Sequence, residues 1–99
     1  MSFEKTVTEQ QRLVILQTLA ADNDYSLNEY LVADALAQWG HRVSADKVRT
    51  ELNWLQEQGL VKTHLLAGQA LIATLTHRGL DVANGAVRVP GVYRPLPGE

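Results

Sequence analysis

The stretch of residues 53–85, NWLQEQGLVKTHLLAGQALIATLTHRGLDVANG, constrains the fold more than any other part of the chain. It begins in a helical pattern that ends at Gly59, and it finishes in a second helical pattern that ends at Gly85. Between them lie two short apolar runs, LVKTHLL and ALIATLT, separated by the turn residues AGQ. Two such runs joined by a glycine-containing turn predict a β-hairpin.

An isolated hairpin is barely stable in water, so this hairpin must pack on the rest of the chain. We expect the face that carries Leu60, Leu65 and Ile72 to lie against helices. The hairpin would then join the helix before it to the helix after it within one small core.

Two helical patterns fill the first part of the chain, TEQQRLVILQTLAAD and SLNEYLVADALAQWG. Each carries apolar residues at helical spacing along one face. Each also begins with a capping box, in which a hydroxyl and an amide or carboxylate three residues later satisfy free backbone N–H groups. The two predicted boxes are Thr8 with Gln11 and Ser26 with Glu29.

A third helix is predicted over SADKVRTELNWLQEQG, with Ser44 as the N-cap and Gly59 as the stop. Its narrow apolar stripe consists of Val48, Leu52 and Leu55. A short last helix, HRGLDVANG, follows Thr76, which is the predicted cap.

These elements predict an α+β fold that is mainly α, in the order helix, helix, helix, strand, strand, helix. Short connections leave one compact arrangement, in which helices two and three cross as a helix-turn-helix and the hairpin folds back beside helix three. That is a winged helix-turn-helix. The predicted domain spans residues 1–85. Residues 86–99 hold all three prolines and predict an extended arm. The protein could be a monomer, or a homodimer in which this arm lies across the neighbouring subunit.

Composition narrows the possible functions. The net charge is −2 and the pI about 5.9, whereas a free-standing nucleic-acid binder is usually basic. Cysteine is absent, and His41, His64 and His77 are far apart in sequence, so we expect no metal site. The N-terminus lacks signal-peptide anatomy and no apolar run reaches about 20 residues, so we expect a cytoplasmic protein without membrane contact.

The stretch of residues 48–85, with WLQEQGLV, the hairpin and LTHRGLDVA, resembles the core of winged-helix transcriptional regulators of the MarR, PadR and ArsR types, and the resemblance covers roughly Thr8 to Asn84. The small size, the ending LTHRGLDVANG and the tail VRVPGVYRP resemble, more narrowly, small uncharacterised proteins of Mu-like bacteriophages and prophages. The first resemblance implies DNA binding and transcription regulation. The second implies a phage-encoded protein acting in the cytoplasm of a bacterial host.

In a DNA-binding protein of this kind, helix 44–58 would enter the major groove and hairpin 60–75 would be the wing. Arg49 could fork onto guanine, and Asn53 could pair with adenine. The N–H groups at the helix start could hold a phosphate. The predicted DNA-binding residues are Ser44, Lys47, Arg49, Thr50, Asn53, Lys62, His64 and Arg78.

A second interpretation stays open, in which the same fold is a protein-interaction adaptor that binds other phage proteins. The acidic pI and the free edge of the hairpin favour it. An enzyme is disfavoured, because the sequence has no glycine-rich phosphate loop, no G-x-S-x-G and no cysteine nucleophile. We therefore expect no catalytic residues and no cofactor. The candidate anchors of an adaptor are Tyr30, Trp39, Trp54 and Tyr93.

Overall fold

The computed structural model describes residues 2–96 of the 99-residue chain. Within that range lie four helices and three strands, and the strands form one antiparallel sheet in the spatial order β1-β3-β2. The α+β class with a β-hairpin is confirmed, but the predicted order is wrong, because a strand lies between the first two helices. The elements are α1 (Phe3–Ala21), β1 (Ser26–Asn28), α2 (Glu29–Gln38), α3 (Ala45–Glu57), β2 (Val61–Leu66), β3 (Ala70–Leu75) and α4 (His77–Ala83).

The unpredicted strand β1 pairs with the free edge of β3, with Ser26 opposite Thr74 and Asn28 opposite Ile72. Ser26 is therefore not a helix cap, and its hydroxyl lies 2.9 Å from the hydroxyl of Thr74. Asn28 caps α2 instead, because its Oδ1 accepts a hydrogen bond from the backbone N–H of Leu31 at 2.9 Å. A three-residue strand is too short for an alternating pattern to be recognised in the sequence.

Helix α1 begins at Phe3, five residues before the predicted start. Ser2 is its N-cap, and the Ser2 hydroxyl accepts a hydrogen bond from the backbone N–H of Lys5 at 3.2 Å. The predicted cap at Thr8 is therefore wrong. Residues 3–7 contain neither proline nor glycine, so nothing stops the helix from extending upstream to a serine that can cap it.

The caps predicted for the other two helices are confirmed. The Ser44 hydroxyl accepts from the backbone N–H of Lys47 at 3.0 Å, and the Thr76 hydroxyl accepts from that of Gly79 at 3.0 Å. Gly59 follows the end of α3 with a φ of +76°, a conformation that favours glycine.

The hairpin packs on the helices at its base and extends into solvent at its tip. Val61 and Ala73 are buried on the inner face. Leu65, which we expected inside, is 53% exposed, because the second half of β2 lies in solvent, whereas β3 beside it stays bonded to α2 through Leu71 and Glu29. Ile72 neighbours the inward Ala73 and therefore faces the opposite side of the sheet.

The core is aliphatic and receives side chains from α1, α2, α3, α4, the hairpin and the arm. Burying one such side chain completely stabilises a fold by about 1.5–3 kcal/mol. Over its described part, the arm packs on this core through Val89 and Val92, while residues 97–99 of the predicted arm lie outside the described range. No helix within residues 2–96 is long and apolar enough to cross a membrane. The fully buried large side chains are Ile15, Leu16, Leu19, Val32, Leu36, Val48, Leu52, Leu55, Leu60 and Val61.

Candidate functional site

Helix α3 is the element on which the predicted site is centred, and its outward residues are mostly uncharged or acidic. Thr50 and Asn53 are exposed, as predicted for residues that would contact a partner. Ser44 is exposed too, although its hydroxyl caps the helix. Asp46 and Glu57 are also exposed, at the two ends of the helix. This surface therefore offers hydrogen-bonding groups without a local excess of positive charge.

Arg49 is held by the buried carboxylate of Glu29 in a two-pronged ion pair. The Arg49 Nε and one terminal nitrogen each lie 2.8 Å from a different Glu29 oxygen. That nitrogen also donates to the backbone carbonyl of Gln69 at 3.0 Å, and the backbone N–H of Leu71 donates to Glu29 at 2.6 Å. The hydrogen bond from Arg49, and after it the one from Leu71, lower the pKa of Glu29 despite its burial, and Glu29 in turn raises the pKa of Arg49.

Lys47 belongs to a second buried carboxylate, Glu51. The Lys47 Nζ lies 2.7 Å from one Glu51 oxygen and 3.2 Å from the hydroxyl of Thr8. The Arg12 Nε lies 2.6 Å from the other Glu51 oxygen. Burial opposes ionisation of Glu51, but the hydrogen bonds from Lys47 and Arg12 outweigh it and lower the pKa of that carboxyl.

The remaining predicted residues are spread over different elements. Arg78 lies in the first turn of α4 and donates to the backbone carbonyl of Gln58, at the C-terminal end of α3. Lys62 and His64 lie exposed on the outer face of the hairpin, opposite Thr74 and Ile72. A 13-residue helix is about 20 Å long, so Arg78 lies roughly that far from Ser44 at the other end of α3. The structure does not bring the eight predicted residues into one cluster.

Sequence reasoning missed the groups that hold these cations. Glu29 and Glu51 are 4% and 3% exposed, although both resemble ordinary solvated helix residues in the sequence. The spacing of Lys47 and Glu51, four residues apart, indicates a pair. Nothing local indicates that Arg12, 39 residues away from Glu51, completes it. The ring of Trp54, one of the candidate anchors, is half-buried and lies 3.7 Å beneath the Arg12 guanidinium.

Large apolar side chains are exposed on α2 and at the tip of the hairpin. Tyr30 at the start of α2 is 60% exposed and Trp39 at its end is 70% exposed. Leu65 and Leu66 at the hairpin tip are more than half exposed. Aromatic residues of this kind are frequent anchors in protein interfaces. Among residues 2–96, no group of three or more His, Asp or Glu side chains could hold a metal ion.

Comparison with known proteins connects the chain to a bacteriophage. No model of a known protein family matches it. It is 48% identical over 91 residues to the uncharacterised protein gp26 of Escherichia phage Mu. The aligned region covers 92% of this chain and 93% of gp26. The chain belongs to the family of phage Mu gp26. An uncharacterised protein of Haemophilus influenzae is 42% identical to it over 80 residues, which covers 81% of this chain and 78% of the Haemophilus protein.

The narrower of the two resemblances found in the sequence, to proteins of Mu-like phages, is thereby confirmed. Because the alignment with gp26 covers nearly the full length of both chains, the gp26 family shares the whole small domain. Both relatives are themselves uncharacterised proteins. The evidence for function therefore lies in the surface of this chain.

Proposed function

We propose that this member of the gp26 family is a non-enzymatic winged-helix module that binds another phage protein in the cytoplasm of the bacterial host. The element order supports the winged-helix assignment. Helices α2 and α3 are joined by a short turn, and a hairpin follows α3 and pairs with a short strand that precedes α2. An architecture of this kind is shared by proteins of many functions, so the choice of partner depends on the surface.

A protein partner is favoured over DNA because the positive charges of α3 are neutralised by carboxylates of the same chain. Arg49 and Lys47, the cations best placed to meet DNA phosphates, are both bound to buried carboxylates of the same chain. DNA affinity depends strongly on cations that are free to replace counterions. The net charge of −2 also disfavours DNA binding. The exposed aromatic and aliphatic residues of α2 and the hairpin tip suit a protein partner better.

The proposal is tested with a tagged chain purified from cells in which a Mu prophage is producing particles. We expect one phage-encoded protein to copurify and to form a defined complex when both proteins are purified and mixed. Tyr30→Ala and Trp39→Ala should weaken that complex. Glu57→Gln, an exposed change on α3, is the matched control and should leave it intact. A complex that survives both aromatic substitutions would remove α2 as the binding surface, and the absence of any phage-encoded partner would contradict the proposal.

DNA binding with transcription regulation is the second candidate, and one observation favours it. Thr50 and Asn53 on α3 and Lys62 and His64 on the hairpin all point outward, as base-reading and backbone-contacting groups must. A fluorescence anisotropy titration with labelled DNA duplexes distinguishes DNA binding from the adaptor function. DNA binding requires an affinity that falls steeply between about 50 and 200 mM salt. The adaptor predicts at most weak binding at the lower salt concentration, equal for all duplexes, and none at the higher one.

A further inference from the structure

The C-terminal arm carries a tight turn at Val89–Val92 whose function the winged-helix core does not explain. The backbone N–H of Val92 donates to the carbonyl of Val89 at 3.1 Å. Pro90 and Gly91 occupy the two central positions, and Gly91 has a φ of +98°. Proline followed by a residue with positive φ is the pattern of a type II turn, in which proline restricts the free chain to the bound shape.

The turn docks in a groove between α1 and α3, which we call the turn groove and define by Arg12, Trp54 and Glu51. Gly91 lies against the Trp54 ring so closely that a Cβ on it would stand 2.6 Å from a ring carbon. The Arg12 guanidinium stacks on the same ring at 3.7 Å and donates to the Gly91 carbonyl at 2.9 Å. Glu51 fixes Arg12 through its 2.6 Å contact.

The aliphatic residues on either side of the turn complete the docking. Val89 is 3% exposed and Val92 is 8% exposed, although neither belongs to a helix or strand. The backbone N–H of Tyr93 donates to the carbonyl of Glu9 on α1 at 3.2 Å. Docking of the turn thus combines three features: a glycine on an aromatic ring and a carbonyl on a guanidinium in the turn groove, and two valines buried in the core.

The chain that leads into the turn is exposed and irregular. Ala86 and Val87 are exposed but still donate to the Asp81 carbonyl of α4 at 2.8 and 3.2 Å, so the exposed Arg88 is the link to the first buried valine. Such a connection can serve as a hinge, and exchange of an identical segment between two copies makes the same contacts as docking within one copy. The two arrangements then differ mainly in the effective concentration that the connection provides.

We propose that the turn groove is a binding site for an aliphatic–Pro–Gly–aliphatic turn, and that the arm of a second copy of this chain is its exchange ligand. The arm within one copy shields the site until it is released. This proposal concerns a different surface from that of the phage-protein partner and does not depend on it.

The test uses the full chain with Trp39→Phe, so that Trp54 is the single tryptophan. Adding Gly91→Ala should release the arm, because the methyl group would overlap the Trp54 ring and φ is positive there. We expect red-shifted Trp54 emission and stronger acrylamide quenching, with cooperative melting retained. A synthetic peptide of residues 87–96 should reverse both changes saturably. The same peptide with Gly91→Ala should bind at least about tenfold more weakly, a difference of about 1.4 kcal/mol.

Gly68→Ala is the matched control, because Gly68 also has positive φ but nothing lies within 4 Å of its Cβ position. This variant should keep Trp54 shielded. Because only exchange between two intact arms fills both grooves, the wild-type chain should form a dimer by light scattering as its concentration approaches the millimolar range set by the short connection. Two Gly91→Ala chains should not dimerise. A shielded Trp54 in the Gly91→Ala chain, an unsaturable peptide response or a wild-type chain that stays monomeric at millimolar concentration would each overturn the proposal.

Loss of cooperative melting in the Gly91→Ala chain would move the test to the chain with Trp39→Phe alone. A peptide of residues 87–96 with an N-terminal dansyl group would then compete with the resident arm. Energy transfer from Trp54 that saturates with peptide supports the exchange, and its absence at millimolar peptide contradicts it, since that is the range of effective concentration for a short connection.

Discussion

At the scale of single residues, Glu29 and Glu51 determine how much positive charge α3 presents. Each is a carboxylate almost without contact with water, and each is satisfied by two donors from different parts of the chain. A buried carboxylate that lost its partners would carry a large desolvation cost. The cations bound to Glu29 and Glu51 therefore stabilise the fold. A partner that drew those cations away would have to compensate for the lost folding stability.

Glu51→Gln should lower the free energy of unfolding at neutral pH by about 2 kcal/mol. The estimate is below the 3–5 kcal/mol typical of a broken buried pair, because Lys47 is about one third exposed and can be hydrated again. The pKa of Glu51 is lower in the folded state than its ordinary value of 4.5. Its contribution is therefore complete above pH 4.5 and is lost as the pH falls through the folded pKa.

Urea unfolding of both proteins from neutral to acid pH measures this contribution. The difference in stability between the wild type and Glu51→Gln should shrink below pH 4.5. Glu57→Gln, on the exposed side of the same helix, should change stability by no more than about 0.5 kcal/mol at any pH. A pH-independent difference for Glu51→Gln would show that Glu51 does not act through its charge.

Gly79 in α4 is a second residue with a measurable role. A Cβ there would stand 2.1 Å from the carbonyl oxygen of Leu60 and 2.6 Å from the side chain of Leu75. Helix propensity alone would make Gly79→Ala stabilising by about 1 kcal/mol. We expect the steric overlap to dominate and the variant to lose about 1–3 kcal/mol in urea unfolding. Asp81→Ala, exposed on the same helix, is the control, and a stabilised Gly79→Ala would show that α4 can move away freely.

At the scale of secondary-structure elements, Arg49 and Glu29 link α3, the start of α2 and the hairpin tip. Arg49 bonds to Gln69 beside the tip, and Glu29 bonds to the first part of β3 at Leu71. The pair therefore holds the hairpin at a fixed angle to α3. If α3 were only a DNA-reading helix, Arg49 could be replaced without a change in thermal stability.

We expect Arg49→Ala to lower the melting temperature, because it leaves the Glu29 carboxylate buried with the Leu71 N–H as its remaining described donor. Glu29→Gln should also lower it. The double variant should lose less than the sum of the single losses, since both changes break one interaction. Thermal melting followed by circular dichroism provides the measurement, with Thr50→Ala on the exposed face of α3 as the control. Additive losses would show that the two residues act separately.

Local patterns in the sequence predict the elements that depend on neighbouring residues. The caps at Ser44 and Thr76, the stop at Gly59 and the hairpin all follow from residues within a few positions of each other. Strand β1 exists only because β3, 46 or so residues later, offers it a free edge. The partners of Lys47 and Arg49 are likewise set by tertiary packing, so the sequence identified the cations but could not show that they are already bound.

At the scale of the whole molecule, the charges divide along the chain. Residues 58–96 contain four cations and a single carboxylate, whereas residues 2–57 contain nine carboxylates and five cations. The net charge of −2 therefore hides a basic C-terminal part, formed by the hairpin, α4 and the arm. The basic residues of that part are Lys62, Arg78, Arg88 and Arg94. An acidic partner would be attracted to this part of the molecule rather than to the outward face of α3.

The chain should therefore bind a cation exchanger at neutral pH and low salt, despite its negative net charge. Lys62→Glu should reduce that retention strongly, because it places a negative charge on the exposed outer face of the hairpin. Lys5→Glu changes the net charge by the same amount but lies in the acidic part, and it should reduce retention only slightly. Elution positions on a salt gradient compare the two variants directly. Equal losses would show that net charge alone governs binding, and that the basic residues of the C-terminal part do not act as one surface.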